Sequence, residues 1–230
     1  MKILHVTCSP RAQASESHAL SLKIIGHLLK RDPSAVLVNR AIGSGALRHI
    51  DDRYATALGA RHVSPAEDCP NGSMLQSEEL IRELESSDCL VIATPMHNFN
   101  VPSTLKAWID HVVRVRRTFR ATRDGYAGLL RDRPVFVAVS SGGRYSGPRA
   151  RQPDFLTPYL RASLGAIGLH DLAFFAVEGT ALAPDALTDV RTETDHALQR
   201  HFATFDPASA HPEVHPFRPQ APSAHATMAR

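Results

Sequence analysis

The stretch CLVIATPMHNFNVPSTLKAWIDHVVRV, residues 89–115, decides the fold class of this chain. Its first six residues, 89–94, form an unbroken apolar run, which is typical of a strand covered on both faces in a parallel sheet. The run ends at Pro95, and residues 102–115 then carry apolar side chains at helical spacing. A buried strand, a short loop and a helix in this order predict one repeat of an α/β sandwich.

The same alternation of strand and helix continues along the chain to about residue 205. Apolar runs predict the strands and amphipathic stretches predict the helices between them, whereas residues 39–73 look irregular. The predicted strands are 2–7, 35–38, 89–94, 134–139 and 172–177, and the predicted helices run through Leu20–Leu29, 74–87, 102–115, 155–168 and 184–204. We therefore expect an α/β fold, a doubly wound five-stranded parallel sheet with helices on both faces.

The end of the chain differs in composition from the rest. Residues 206–230 contain five of the sixteen prolines, three histidines and almost no aliphatic residues. Such a segment cannot bury enough apolar surface to fold by itself. We expect one domain over residues 1–205 and a disordered tail over 206–230. His211 and His215 lack a third placed ligand, so we expect no metal there.

The overall composition excludes several classes of protein. With 230 residues, of which 43% are hydrophobic and 21% charged, the chain can bury a sizeable core. No apolar run approaches the roughly 20 residues of a membrane span, and the first residues lack the features of a signal peptide. Cys8, Cys69 and Cys89 are scattered, which argues against a disulfide framework and favours a cytoplasmic location.

Arginines are concentrated between residues 114 and 133, although the formal net charge of the chain is only +3. Seven arginines and two aspartates fall in this stretch, which would either bind an anion or form a solvated surface. Nucleic-acid binding is one alternative, but the sequence has no helix-turn-helix and no aromatic platform. We therefore expect neither nucleic acid nor a membrane as a partner.

Three polar or glycine-bearing loops, 8–17, 95–101 and 140–147, follow predicted strands. Because parallel strands end at one edge of a sheet, these loops should line one crevice. The first loop is rich in serine and opens a helix, whose N-terminal N–H groups favour a phosphate. It matches neither GxGxxG nor GxxxxGK[ST], which argues against a dinucleotide fingerprint and a P-loop.

The second and third loops suit a flat heteroaromatic ring. Backbone amides and Asn98 would contact the edge of such a ring, while Met96 and Phe99 would pack on its face. Gly142 and Gly143 have no Cβ, so their backbone can approach a ring closely. A phosphate at one end and a polar ring at the other describe FMN, which a doubly wound sheet binds at this edge.

Four stretches resemble the FMN-dependent NADH:quinone oxidoreductase and azoreductase family; they are 95–114, 117–130, 140–143 and 158–179. The resemblance implies a flavodoxin-like fold and a homodimer with FMN near the subunit interface. It also implies ping-pong transfer of two electrons from NADH or NADPH to quinones, azo compounds or related electron-poor aromatics. Carried over by position, the predicted FMN-binding residues are Ser9, Ser15, Glu16, Ser17, Met96, His97, Asn98, Phe99, Ser140, Ser141, Gly142 and Gly143.

The sequence also departs from the pattern of that family around the predicted flavin. Arg116 and Arg117 stand where the family has Gly and a small or apolar residue, and Ala121 and Ala166 stand where it has Tyr and Phe. These four residues define the predicted substrate pocket. Lost aromatic walls and added positive charge favour a larger or anionic aromatic acceptor, since arginine binds carboxylate-like groups with its planar fork.

Two further departures, Ser141 in place of Arg and His97 in place of Tyr, lie at the predicted ring site. Histidine changes charge near neutral pH, so His97 is the candidate proton donor, although it would equally well only pack beside the ring. A dedicated flavin-dependent reductase of one metabolite and a non-catalytic FMN-binding carrier or sensor remain alternatives. We expect the helix of Trp108 and the arginine-rich segment at the subunit interface, because Trp and Arg are favoured there.

Overall fold

Five strands form one parallel sheet in the computed structural model, in the order Val36–Ala41, Lys2–Thr7, Cys89–Pro95, Val135–Ser141 and Leu172–Glu178. They are β1 Lys2–Thr7, β2 Val36–Ala41, β3 Cys89–Pro95, β6 Val135–Ser141 and β7 Leu172–Glu178. The fully buried run of β3 lies at the centre of the sheet, between β1 and β6. The predicted sheet is confirmed, and β2 extends beyond the predicted 35–38 because it pairs with β1 as far as Ala41.

The structure describes residues 1–43, 45, 47–59, 72–123, 125–181 and 183–206. Cys69 therefore lies outside the described residues, as does all of the predicted disordered tail 206–230 except its first residue, including His211 and His215. Over the described part of the chain, every helix is too short or too polar to cross a bilayer.

Helices cover both faces of the sheet, as expected for a doubly wound fold. They are α1 Glu16–Arg31, α2 Asp52–Gly59, α3 Ser73–Glu85, α4 Ser103–Val112, α5 Leu156–Ala166 and α6 Pro184–Thr204. Alternate residues of β1 enter two separate cores: Ile3 packs with the apolar side chains of α1 and α6, and Leu4 packs with those of α3, α4 and α5. Because β1, β3 and β6 are neighbours and run parallel, their carboxyl ends lie at one edge of the sheet.

Two elements were not predicted from the sequence. Helix α2 lies within the segment 39–73 that looks irregular, and Tyr54 fixes it by donating a hydrogen bond to the carbonyl oxygen of Asp110 at 3.2 Å. Strands β4 Phe119–Thr122 and β5 Gly125–Gly128 form an antiparallel hairpin inside the arginine-rich segment. The ring of Phe119 meets that of Tyr126 edge-on across this hairpin.

The Trp108 side chain is buried within its own subunit and cannot itself contact a partner, whereas the placement of its helix at a subunit interface stays a prediction. Only 1% of the surface of Trp108 is exposed, and it packs within the core between the sheet and helices α3 to α5. Tryptophan occurs in interface cores and in domain cores for the same reason, its large apolar area, so the residue type alone does not distinguish the two locations.

Candidate active site

The first predicted loop places serine hydroxyls at the N-terminus of α1. A 3₁₀ turn over Ala12–Ala14 leads to Ser15, which precedes the helix in extended conformation. The hydroxyls of Ser15 and Ser17 lie 2.7 Å apart, and both residues are buried. Since the first N–H groups of a helix have no carbonyl partner within it, this end of α1 offers donors and a positive dipole to a phosphate.

Glu16 has a different side-chain partner from the one the resemblance implies. Its carboxylate forms an ion pair with the guanidinium of Arg191 on α6, with a second contact of 3.2 Å from Nε. The carboxylate is thereby directed at α6, and the group that Glu16 offers to a phosphate is its backbone N–H. Arg191 was missed by sequence analysis because only the tertiary structure brings α6 beside α1.

Gly43, in the segment after β2, packs closely against the first loop and fixes its position. A Cβ at this position would lie 2.1 Å from the carbonyl oxygen of Ser9, a distance no side chain tolerates. Thr104 at the start of α4 donates a hydrogen bond to the carbonyl oxygen of Cys8 at 3.1 Å, on the same loop. The phosphate-side loop is therefore held between the segment after β2 and the first turn of α4.

The second loop contains a tight turn with an unusual backbone. His97 and Asn100 exchange backbone hydrogen bonds of 2.9 and 3.0 Å, while Asn98 and Phe99 between them adopt φ values of 48° and 70°. Asparagine adopts the left-handed conformation more readily than other residues with a side chain, but for phenylalanine it is costly. Phe99 is also 44% exposed, so burial of its ring in this chain does not account for the strained conformation. Strain of this kind is found at ligand-binding sites.

The second and third loops are joined to each other. The backbone N–H of Met96 donates to the carbonyl oxygen of Ser140 at 2.7 Å. Gln152 approaches both loops, with its amide nitrogen 2.9 Å from the hydroxyl of Ser141 and 3.1 Å from the sulfur of Met96. Six of the predicted ring-site residues, from Met96 to Phe99 and from Ser140 to Ser141, thus belong to one connected structure.

Glu178 at the end of β7 orders the segment that follows Gly143. Its carboxylate accepts hydrogen bonds from the backbone N–H groups of Tyr145 and Ser146, at 2.8 and 3.2 Å. The negative charge of Glu178 and burial raise the pKa of the Tyr145 phenol, with burial the larger cause, so Tyr145 stays neutral. Glu178 was not identified from the sequence.

The hairpin β4–β5 carries Ala121 and packs against the end of α5, which carries Ala166. The contact is between backbones, because a Cβ at Gly128 would lie 2.2 Å from the nitrogen of Gly168. Leu130 adds a backbone hydrogen bond of 3.1 Å to the carbonyl oxygen of Ile167. The structure therefore holds the elements of the two predicted pocket alanines together.

Arg117 does not provide the free positive charge expected from the sequence. Its guanidinium pairs with Glu78 and Glu85 of α3, and Glu78 also binds Arg114 at 2.5 Å. The guanidinium of Arg116 donates to the carbonyl oxygen of Leu58 at 2.7 Å. Both side chains are directed at helices α2 and α3, so these contacts argue against Arg117 as an anchor for an anionic substrate.

Comparison with known proteins agrees with this arrangement of loops. A family model described as flavodoxin-like fold matches residues 1–202. FMN-dependent NADH:quinone oxidoreductase 4 of Pseudomonas fluorescens is 46% identical over 85% of this chain and 93% of that protein. The corresponding enzyme 5 of Burkholderia lata is 45% identical over 82% of this chain and 90% of that protein. This chain belongs to the FMN-dependent NADH:quinone oxidoreductase family.

Solved structures extend the agreement to the fold. An azoreductase from Bacillus anthracis superposes with a TM-score of 0.76 at 20% identity, over 89% of this chain and all of that chain. An FMN-dependent NADH-azoreductase from the same species, determined with FMN, gives a TM-score of 0.70 at 24% identity over 87% and 99% of the two chains. The flavodoxin-like fold expected from the resemblance is confirmed.

The residues of this family member fit FMN on structural grounds. The N-terminus of α1 offers hydroxyls and N–H groups for the phosphate. The strained turn at Asn98 and Phe99 lies on a loop that is joined to the loop of Ser140 and Ser141. His97 is exposed beside this turn, so its ring is accessible to a ligand. Cys8 is buried, which raises the pKa of its thiol and removes it as a nucleophile.

Proposed function

We propose that this chain transfers two electrons from NADH or NADPH to quinones, azo compounds or related electron-poor aromatics by a ping-pong mechanism. When bound, FMN supplies the redox chemistry, since the flavin accepts a hydride and passes two electrons to the second substrate. The observation that carries the proposal is the strained turn at 97–100. A hydrogen bond from Met96 to Ser140 joins its loop to the loop after β6, and both loops lie at the same edge of the sheet as the N-terminus of α1.

Apart from His97, the residues of the chain bind and orient the flavin rather than react. Ser9, Ser15 and Ser17 hold the phosphate with the first N–H groups of α1. The turn at 97–100 and the segment 140–143 hold the ring, and the N–H groups of Gly142 and Gly143 are placed to stabilise negative charge on it. His97 is the proton donor for the second substrate, because its exposed ring flanks this turn.

The acceptor side of the site is wider than is usual for the family. Ala121 and Ala166 remove two aromatic walls, which leaves room for a larger aromatic acceptor. Because Arg117 is paired with Glu78 and Glu85, we do not assign it a role in selecting anionic acceptors. A dedicated reductase of one metabolite is compatible with the same widened pocket.

A homodimer fits the apolar surface beside the proposed ring site. Phe99 is 44% exposed and Phe155 is 56% exposed, and a backbone hydrogen bond of 3.0 Å joins the two residues. Tyr126 and Leu129 of the hairpin segment are exposed as well. Neighbouring exposed aromatics of this kind mark an interaction surface. We propose that a second copy covers them, and that the protein acts in the cytoplasm, where Cys8 and Cys89 would remain free thiols.

The central test combines the cofactor and the two half-reactions. The purified protein should be yellow, bleach when NADH or NADPH is added without oxygen, and regain its colour when a quinone follows. A protein that binds FMN but is not bleached would be a carrier or sensor, which would overturn the proposal. Sedimentation showing only a fully active monomer of about 25 kDa at low micromolar concentration would overturn the dimer.

The phosphate assignment needs its own variant. Ser15→Ala/Ser17→Ala should copurify with much less FMN while it stays folded, since each hydrogen bond to a charged group is worth roughly 1.5–3 kcal/mol. Binding of riboflavin, which has no phosphate, should change little. Full FMN occupancy in this double variant would contradict a phosphate site at the N-terminus of α1.

A further inference from the structure

Gln152 is the one side chain described here that contacts both ring-site loops and also covers a glycine of the third loop. Its amide nitrogen lies 2.9 Å from the hydroxyl of Ser141 and 3.1 Å from the sulfur of Met96. Both N–H groups of the carboxamide thereby have partners on different loops. The contact joins segments 56 residues apart in sequence, one after β3 and one after β6.

The carboxamide oxygen of Gln152 faces Gly143. A Cβ at Gly143 would lie 2.4 Å from this oxygen and 3.1 Å from the carbon that carries it. Gly143 therefore leaves the space that Gln152 occupies, and the two residues form one packed unit. At Gly142, by contrast, a Cβ would meet its nearest neighbour at an ordinary contact distance of 3.9 Å.

Gln152 joins the two loops between which the ring is proposed to bind, so the distance between these loops must match the ring. Ser141 and Met96 are both buried, so the contacts that they make with the partly buried Gln152 are partly removed from water, which strengthens them. The segment that carries Gln152 is itself fixed at a second point, since the next aromatic residue, Phe155, donates its backbone N–H to the carbonyl oxygen of Phe99. Gln152 and Phe155 thus fix the two sides of the strained turn.

We propose that Gln152 is the positioning residue for the ring end of the flavin, acting as a unit with Ser141, Met96 and Gly143. It holds the loops after β3 and β6 at the separation that admits the ring and leaves its oxygen as an acceptor at the ring site. The inference rests on the proposed placement of FMN. It assigns to Gln152 affinity for the ring and no part in holding the phosphate.

The test measures dissociation constants for FMN and for riboflavin by quenching of flavin fluorescence. Gln152→Leu keeps the volume but removes the polar contacts, and it should weaken both ligands equally, by about tenfold, the loss expected for such a hydrogen-bonded unit. The melting temperature of the flavin-free protein should stay within about 2 °C of wild type. Gln199→Leu, at an exposed position of α6, is the matched control and should bind both ligands as wild type does.

A double-mutant cycle tests the unit itself. Gly143→Ala should weaken riboflavin binding in the wild-type background, because its Cβ displaces Gln152, and should weaken it much less in the Gln152→Ala background. Equal effects in the two backgrounds would overturn the proposal, as would wild-type affinity for both ligands in Gln152→Leu. Loss of FMN binding alone, with riboflavin unaffected, would also overturn it. If the wild-type protein binds neither ligand, the proposed function itself fails. This outcome distinguishes failure of the proposed function from failure of the role assigned to Gln152 alone.

Discussion

Replacing Glu78 by glutamine should destabilise the protein by about 2 kcal/mol at neutral pH, with an effect that fades in acid. Only 13% of the Glu78 side chain is exposed, and it binds Arg114 at 2.5 Å and Arg117 at 3.1 Å. Burial by itself would raise the pKa of this carboxyl, but the two guanidinium groups outweigh it and lower the pKa from the ordinary 4.5 to about 2. That change corresponds to roughly 3 kcal/mol, which we reduce to about 2 for solvent screening.

The direction of the pH dependence follows from the depressed pKa. A carboxylate of this kind contributes its full stability above the unfolded-state value of 4.5 and loses it as the pH falls towards 2. Urea unfolding of wild type and Glu78→Gln should therefore differ by about 2 kcal/mol at pH 7 and by less than half of that near pH 3. The pH dependence of other groups cancels in this comparison.

The neighbouring Glu79 provides the matched control. It lies on the same helix and pairs with Arg40 at 2.7 Å, but 59% of its side chain is exposed. Because exposed pairs are worth about 0–1 kcal/mol, Glu79→Gln should change stability little at any pH. A difference between wild type and Glu78→Gln that stays the same at pH 7 and pH 3 would refute the assignment of this stability to the buried carboxylate.

Three other substitutions test the site directly. Gly43→Ala should push Ser9 away, since its Cβ would lie 2.1 Å from the Ser9 oxygen, and should weaken FMN about tenfold in a fluorescence titration; unchanged affinity would show that the loop adapts. Arg117→Val should lower the unfolding midpoint in urea yet leave the ratio of kcat/KM for an anionic and a neutral acceptor unchanged, and a fall in that ratio would restore its role in selectivity. His97→Phe should retain FMN but lose one limb of the pH profile of kcat, and an identical profile would exclude His97 as the proton donor.

The positions of the loops could be predicted from the sequence because they depend on local pattern. The apolar run of β3 and the helical spacing after it determine which residues follow a strand, and parallel strands bring their ends to one edge. The hairpin β4–β5 lacks such a pattern, since β4 has only four residues and three of them are exposed. Helix α2 is short and has one buried residue, Tyr54, so its sequence also gives no clear apolar pattern.

The contacts that shape the site could not be predicted in the same way. Gly43, Gln152 and Glu178 hold the three loops between them, and each makes a contact with a residue far from it in sequence. The pairing of Arg117 with α3 is of the same kind, and it reverses the interpretation of the arginine as a free charge. Residue type indicates what a side chain is able to bind, whereas the tertiary structure determines which partner lies within its reach.

The attachment of the hairpin to α5 explains why the fold does not depend on the side chains at 121 and 166, the two predicted pocket positions. The anchor on α5 is backbone against backbone, at Gly128 and Gly168, with a hydrogen bond from Leu130 to Ile167. None of these contacts involves the side chains of Ala121 or Ala166. If Ala121 and Ala166 line the acceptor side of the pocket, as we propose, that side can change in size without disturbing the attachment of the hairpin. Substitutions at 121 and 166 should accordingly alter which acceptor is reduced and leave FMN binding intact.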